Sequence, residues 1–304
     1  MNTSVKVKYK ATDIIFHIFN YSFFLIFTFA CVFPFYYMFI NTISANDLSA
    51  TGQINFLPKD IHFENYIQIM QLPGLLRATY ISVARTVIGT FATVMTSAFM
   101  GFMFTNEKMW GRVFWYRVTI ATMYFSAGLI PWFLTMMRLG FLNNFWAYVI
   151  PGMVAPFFVV LVKTFIESTP KALQEAAEID GAGTFSVFFR IILPISKPIL
   201  ATIAIFAAVG QWNSFMDTLF LMTDERLFPL QMILFRFLNQ ADALARLIRG
   251  GGAGEIGELM LSRMQTPTSV RMTISIVIVF PIILVYPMFQ KYFTKGLMIG
   301  SIKG

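Results

Sequence analysis

Two ionisable side chains, Arg85 and Asp217, fall inside stretches that are otherwise apolar. Charge in such surroundings is costly and marks either an ion pair or the wall of a water-filled path. Asp217 has company, because Gln211, Trp212 and Asn213 lie just before it. Polar groups for hydroxyls and an aromatic plane for C–H surface are the mixture a sugar needs. Asn213 and Asp217 are four apart and are expected to share a helix face. For any one of these residues the competing reading is a hydrogen bond between helices. Arg85 lies roughly six residues inside its apolar stretch and Asp217 roughly five inside its own, so at about 1.5 Å per residue their depths agree to within a few ångströms. They are expected to pair or to line a common cavity, unless Arg85 alone reaches back to the interface.

Other chemistries find no footing. There is no Walker A sequence, so ATP hydrolysis by that route is not expected here. His17 and His62 are isolated and Cys31 is the one cysteine, which gives neither a metal-ligand pattern nor an internal disulfide. No Ser/His/Asp set is recognisable. Gly252-x-Gly254-x-x-Gly257 matches a dinucleotide fingerprint formally, but that motif needs a strand before it and a βαβ unit around it. The chain is expected not to be an enzyme.

The elements that must position these residues follow from composition. The 304 residues are 57% hydrophobic and 12% charged, with 35 Phe, against about 25% charged in an ordinary soluble domain. A soluble globule of this make-up would expose large apolar patches. Six stretches reach the roughly 20 apolar residues that cross a bilayer; they are near 15–43, 79–104, 113–137, 145–165, 198–222 and 272–293. All must be helical, because a lone strand cannot satisfy its backbone in lipid. Pro34, Pro131, Pro151, Pro156, Pro281 and Pro287 are expected to kink them. The first run is too long for the core of a cleavable signal peptide. Gly89, Thr93, Ser97 and Gly101 form a small-residue stripe on the second span, a structural surface for close helix approach.

The formal net charge of +8 reads as topology rather than nucleic-acid binding. With the N-terminus inside, ten of the eleven lysines are cytoplasmic and only Lys59 is external. The arginines lean the other way, but most external ones sit in one long loop, where the charge rule is weak. Both termini are therefore expected in the cytoplasm. Segment 1–14 is the cytoplasmic N-terminus, 15–304 the transmembrane domain and 294–304 its cytoplasmic tail. Segments 44–78 and 223–271 are external, and 166–197 is cytoplasmic. Within 166–197, Thr169 can cap a short helix with Pro170 at its first position, and Asp180-Gly181 can stop it. A second helical piece runs from Phe185 to Ile192 and ends at Leu193-Pro194.

Glu175-Ala176-Ala177, Asp180-Gly181-Ala182, Phe188, Ile191, Leu193 and Pro194 resemble the EAA motif of ABC-importer permeases. Lys197-Pro198, the run Gly210 to Phe215 and the ending Gln290 to Gly304 resemble the carbohydrate-uptake branch, on the side of the maltose-permease G subunit. The resemblance covers essentially the whole chain after residue 15 and is loosest in the first external segment. It implies an all-α membrane protein of the type I ABC-importer permease fold, with six transmembrane helices, in the bacterial cytoplasmic membrane. Glu175, Ala176, Ala177, Asp180, Gly181 and Ala182 would form the coupling helix that docks on a cytoplasmic ATPase, and the tail would touch that ATPase too. Arg249, Gly250, Gly251, Gly252 and Gly254 would reach into an external solute-binding protein, the competing reading being a plain solvated loop.

Arg85, Gln211, Trp212, Asn213 and Asp217 would line the substrate path, although in such importers the partner permease can hold most sugar contacts. The implied function is half of the path for an oligosaccharide, moved by alternating access. The implied partners are a second homologous permease, two ATPase subunits, the solute-binding protein and the lipid bilayer, with no nucleic acid. No cofactor is expected in this chain, ATP and Mg being bound by the ATPase. The alternatives are a permease for a non-sugar solute, or an ion-coupled secondary transporter. The latter expects inverted repeats and several intramembrane acids, against the single Asp217.

Overall fold

The computed structural model describes residues 11–249, 269 and 271–284, and of 240–249 the backbone alone. In chain order the elements are α1 (Ala11–Thr42), α2 (Asn46–Ala50), α3 (Glu64–Met70), α4 (Leu75–Thr105), α5 (Arg112–Ala121), α6 (Leu129–Arg138), a 3-10 turn (Phe145–Tyr148), α7 (Pro156–Glu167), α8 (Ala172–Ile179), α9 (Thr184–Val187), a π turn (Phe188–Ile192), α10 (Leu193–Ile195), α11 (Lys197–Asn213), α12 (Met216–Leu221), a 3-10 turn (Glu225–Leu227), α13 (Leu230–Arg249) and α14 (Arg271–Leu284). No strand occurs among the described residues. The chain divides into two compact units, Met1–Ile69 with Gln240–Ile276 and Met70–Asn239 with Val277–Gly304.

In the first unit, α1 is apolar throughout and mostly exposed from Thr12 to Phe39, the lone Cys31 included. Its C-terminal carbonyls would be orphans, and the following segment folds back to satisfy them. Asn65 Nδ2 donates to the Thr42 carbonyl at 2.9 Å, and the Thr42 and Tyr66 hydroxyls share a hydrogen bond of 2.7 Å. Ser49 donates to Asn41 Oδ1 at 2.8 Å. Residues 44–69 thus form a small polar-stitched cap of two short helices on the end of α1.

The second unit is built around α4, against which α7 and α11 pack. Near the Thr105 end, Ala98 and Phe102 join Val162, Ile166, Phe188 and Ile203 in one apolar cluster. Near the Leu75 end, Ile81 joins Tyr148, Leu221, Phe228 and Met232 in another. The small residues expected on α4 are all buried. At Gly101 a Cβ would come within 2.8 Å of Val162 Cγ1 and 3.1 Å of the Lys163 backbone nitrogen. At Gly89 it would meet the Gln211 side chain at 2.7 Å.

The span pattern differs from expectation in continuity. Among the described residues only Thr12–Thr42 and Leu75–Thr105 are uninterrupted helices long and apolar enough to cross a bilayer. The third apolar stretch is two helices, α5 and α6, separated by Thr122–Gly128 with Gly128 at φ +84°. The fourth is irregular from Val149 to Ala155 before α7 begins at Pro156. Pro131, Pro151 and Pro156 thus accompany breaks rather than kinks, because each removes a backbone donor and Pro156 is preorganised to start a helix. Pro34 stays inside α1 and Pro281 inside α14, while Pro287 lies outside the described residues. The fifth stretch breaks at Ser214–Phe215.

The second helical piece of the 166–197 segment does not stop at Leu193-Pro194. It runs from Thr184 to Ile195 and meets α11 at a bend of 80°. Leu193 N–H reaches back to the Phe188 carbonyl, an i→i−5 bond that closes the π turn. Such a turn changes the hydrogen-bond register ahead of Pro194, which has no N–H to give.

Adding a methyl at Gly101 forces Val162 or the α7 backbone to move. Gly101→Ala is expected to destabilise by about 1–3 kcal/mol, read as a lower thermal unfolding midpoint of the detergent-solubilised protein. Gly183→Ala, which meets nothing within 4 Å, should stay near the parent.

Candidate functional site

Arg85 is 1% exposed, and its guanidinium makes five hydrogen bonds. Nη2 donates to Asp217 Oδ2 at 2.6 Å and Nη1 to Oδ1 at 3.2 Å, the two-pronged geometry that suits arginine and carboxylate. Nη1 also donates to the Ser214 carbonyl at 3.1 Å, while Nε and Nη2 reach Gln211 Oε1 at 3.4 and 3.3 Å. The cation lies 4.3 Å from the Tyr148 ring centroid, close enough for an attractive cation–π contact. A buried charge is tolerated only when paired and hydrogen-bonded, and here every N–H of the group has a destination.

This arrangement explains the break in the fifth apolar stretch. Where α11 ends at Asn213, the Ser214 carbonyl leaves the helical ladder, and Arg85 takes it. Asp217 sits in the first turn of α12, where the helix dipole favours an anion. It also accepts the Thr218 N–H at 2.8 Å. The network continues outward. Tyr148 receives the Thr218 hydroxyl at 3.2 Å and donates to the Leu227 carbonyl at 2.9 Å. Gln211 Nε2 donates to the Tyr148 carbonyl at 3.2 Å. Separately, at the exposed edge, Asn143, at φ +51°, accepts the N–H groups of Thr223 and Asp224 at 2.7 and 2.9 Å.

The structure therefore brings Arg85, Gln211 and Asp217 together on a cleft of about 450 Å³, with Trp132, Phe158, Phe206, Gly210 and Gly152 also on its wall. Trp212 is not there. It is one residue on from Gln211, about 100° around the helix, and its indole N–H donates to the Ile278 carbonyl at 3.2 Å. It stands instead over an apolar groove with Val83, Val209 and Pro281. Nor do Asn213 and Asp217 share a helix face, because the break at Ser214–Phe215 separates them. Asn213 donates to the Val209 carbonyl at 3.0 Å and accepts from Gln231 at 3.2 Å. Aromatic surface on the cleft comes from Trp132, Phe158 and Phe206. No motif marked these three, since each lies in an ordinary apolar run.

At the other end of the second unit, α8 carries Glu175, Ala176 and Ala177. Its C-terminus closes as the sequence pattern requires. Gly181 is at φ +81°, its N–H donates to the Glu178 carbonyl at 3.1 Å, and the Ala182 N–H reaches Ala177 at 2.9 Å. These are the two bonds of a Schellman stop, which only a residue at ease in the left-handed region completes without strain. The N-terminus differs from expectation. Thr169 does not cap α8; its hydroxyl donates to the Ile166 carbonyl at 2.7 Å, finishing the last turn of α7. Helical residues start at Ala172, two positions after Pro170.

Most of α8 is exposed. Ala177 and Ala182 lean on the cluster around Phe102 and Phe188, while Ile179 is 85% and Leu173 47% exposed. Glu175 faces a cleft of about 330 Å³ shared with Asn106, Glu107, Lys108, Lys171 and Glu178. Hydrogen bonding by Lys171, then its charge and that of Arg112, holds the Glu107 carboxyl below its usual range. Gly250, Gly251, Gly252 and Gly254 and the tail 294–304 lie outside the described residues, and of Arg249 only its backbone at the end of α13 is described.

Removing one member of the buried pair strands the other. Asp217→Ala is expected to destabilise by about 3–5 kcal/mol, measured as a lower unfolding midpoint in detergent. The double change Arg85→Met/Asp217→Ala should lose clearly less than the two single changes summed. Strict additivity would mean that the pair is not coupled.

Comparison with known proteins places this geometry. Residues 93–299 match the family described as the binding-protein-dependent transport system inner membrane component. The chain is 30% identical over 284 residues to the polygalacturonan/rhamnogalacturonan transport system permease protein YtcP of Bacillus subtilis, covering 93% of this chain and 96% of that one. It is 32% identical over 273 residues to Protein LplC of the same organism, covering 90% of each. A solved bacterial ABC transporter involved in the import of the acidic polysaccharide alginate superposes with a TM-score of 0.83 at 27% identity, over 95% of this chain and 100% of that one. A family match across more than half the chain, and relatives that align over almost all of it, make the conclusion plain: the chain belongs to the inner membrane components of binding-protein-dependent transport systems, the permease subunits of ABC importers.

Proposed function

We propose that this permease forms half of the translocation path for an oligosaccharide, with six membrane spans and both termini in the cytoplasm. An external solute-binding protein delivers the sugar. A second permease completes the path, and two ATPase subunits, which bind ATP and Mg, drive it by alternating access. The observation that carries this reading is α8, an exposed helix with a Schellman stop, standing off the second unit with Leu173, Ala176 and Ile179 uncovered. A solvated loop has no use for that surface, whereas a partner groove does.

The saccharide reading rests on its relatives, which include permeases for polygalacturonan/rhamnogalacturonan, arabinooligosaccharide and melibiose/raffinose/stachyose transport. The cleft by Arg85 supports it with aromatic walls and amide groups. Its charges are mutually neutralised, which suits a surface that passes a solute along rather than one that traps it. A second reading, a phosphorylated or other non-sugar solute, is favoured by similarity to an sn-glycerol-3-phosphate transport system permease protein of Brucella abortus, 25% identical over 276 residues. Ion coupling through Asp217 has little to recommend it, because both carboxylate oxygens are taken by Arg85 and Thr218.

Gly181→Val should strain the α8 stop without filling any occupied space, since nothing lies within 4 Å of its Cβ position. The expected result is loss of co-purifying ATPase from solubilised membranes at unchanged permease abundance. Undiminished recovery would remove the coupling role. A calorimetric screen of the cognate binding protein against neutral and acidic oligosaccharides and glycerol phosphate decides the solute class.

A further inference from the structure

Short helix α8 is held at one end and loose at the other. Its eight residues lack a side-chain N-cap. Its apolar packing on the cluster around Phe102 and Phe188 is through Ala177 and the following Ala182. Contact at one end alone leaves such a rod free to swing.

A second set of contacts removes that freedom. The corner between α4 and α5 carries Glu107 and Lys108. Lys108 Nζ lies 2.7 Å from Glu178 Oε2, and Lys171 Nζ lies 3.2 Å from Glu107 Oε1. Lys171 and Glu178 are seven positions apart, two turns, so the ties grip α8 about 10 Å apart along its axis on one side. The corner is itself anchored, since Arg112 donates to the Thr105 carbonyl at 3.1 Å and lies 3.9 Å from Glu107. Polarity alternates across the cleft, so that neither tie can form with the other's partner: corner cation to helix anion at Glu178, corner anion to helix cation at Lys171. That crossed pattern fixes the direction and register of α8 as well as its distance.

We propose that Glu107 and Lys108 are positioning residues for α8, holding it at the angle from which it meets the ATPase and moving it together with α4 and α5. The proposal rests on the coupling role of α8 argued above. Glu107 and Lys108 act through Lys171 and Glu178. In this arrangement the stroke of α8 reaches α4 directly through the corner, in addition to the covalent route through α9, α10 and α11.

The test uses the full-length tagged permease in its assembled importer, with ATPase recovered per permease read by quantitative blotting. Lys108→Glu and Glu178→Lys should each lower recovery about two- to fivefold, the scale of an exposed ion pair turned repulsive. The double change Lys108→Glu/Glu178→Lys should restore it, which no loss of folding or of an unrelated contact would do. Lys108→Gln, which removes the pair without repulsion, should give a smaller fall. Single changes at the parental level, or a double no better than the worse single, overturn the proposal. Gly181→Val separates the two readings. If it loses ATPase while Lys108→Glu does not, coupling stands and the positioning role falls. If it retains ATPase, the coupling role itself has failed.

Discussion

A guanidinium taken out of water must find an acceptor for each of its N–H groups, and meeting that demand organises one end of this molecule. Arg85 gathers a carboxylate from α12, a freed carbonyl from the break before it, an amide from α11 and the face of Tyr148. Neither the Ser214 carbonyl nor Asp217 would lie where it does if α11 ran on unbroken through Ser214. The helix break and the buried charge are therefore one feature. Each makes the other affordable: the break frees a carbonyl that needs a donor, and the arginine needs acceptors that an intact helix would have consumed.

The two ends of α4 consequently differ in kind. At the Leu75 end the Arg85–Asp217 pair is largely buried and bidentate, and its network extends through Tyr148 to the Leu227 carbonyl. Low local dielectric strengthens such contacts and shields them from salt. At the Thr105 end the charged contacts are exposed, Lys108 at 71% and Lys171 at 77% of their side chains, where each is weak and screened. One end is built to stay put. The other is held by contacts that solvent and salt weaken.

How much of this was legible in the sequence depended on how far apart the causes lay. The stop of α8 was readable because Asp180, Gly181 and the carbonyls they satisfy are within five residues. The close approach of α4 and α7 was readable from the stripe through Gly101, since small side chains announce a seam wherever the partner comes from. Breaks near Pro131, Pro151 and Pro156 were half readable: the missing donors were visible, but whether a helix bends or stops depends on who accepts the freed carbonyls. The break at Ser214 was not readable at all. Its cause, Arg85, is 129 positions away, and the same break spoiled the expected shared face of Asn213 and Asp217. Trp212 was misassigned for a related reason. Its ring chemistry suited a sugar, yet only the tertiary partner at Ile278 says which way the indole turns. Glu107 and Lys108 went unremarked because charged residues between two apolar spans look like any solvated turn.

One modest feature of α1 has a practical bearing. Cys31 is the chain's sole thiol, and it lies exposed on α1, whose side chains from Thr12 to Phe39 are mostly exposed among the described residues. A maleimide dye or spin label would therefore mark a single known position on α1 without any engineered cysteine. Its accessibility to lipid-soluble and water-soluble quenchers would report what covers α1 in the living membrane, bilayer or neighbouring subunit. The protein comes with its own probe on its first long helix.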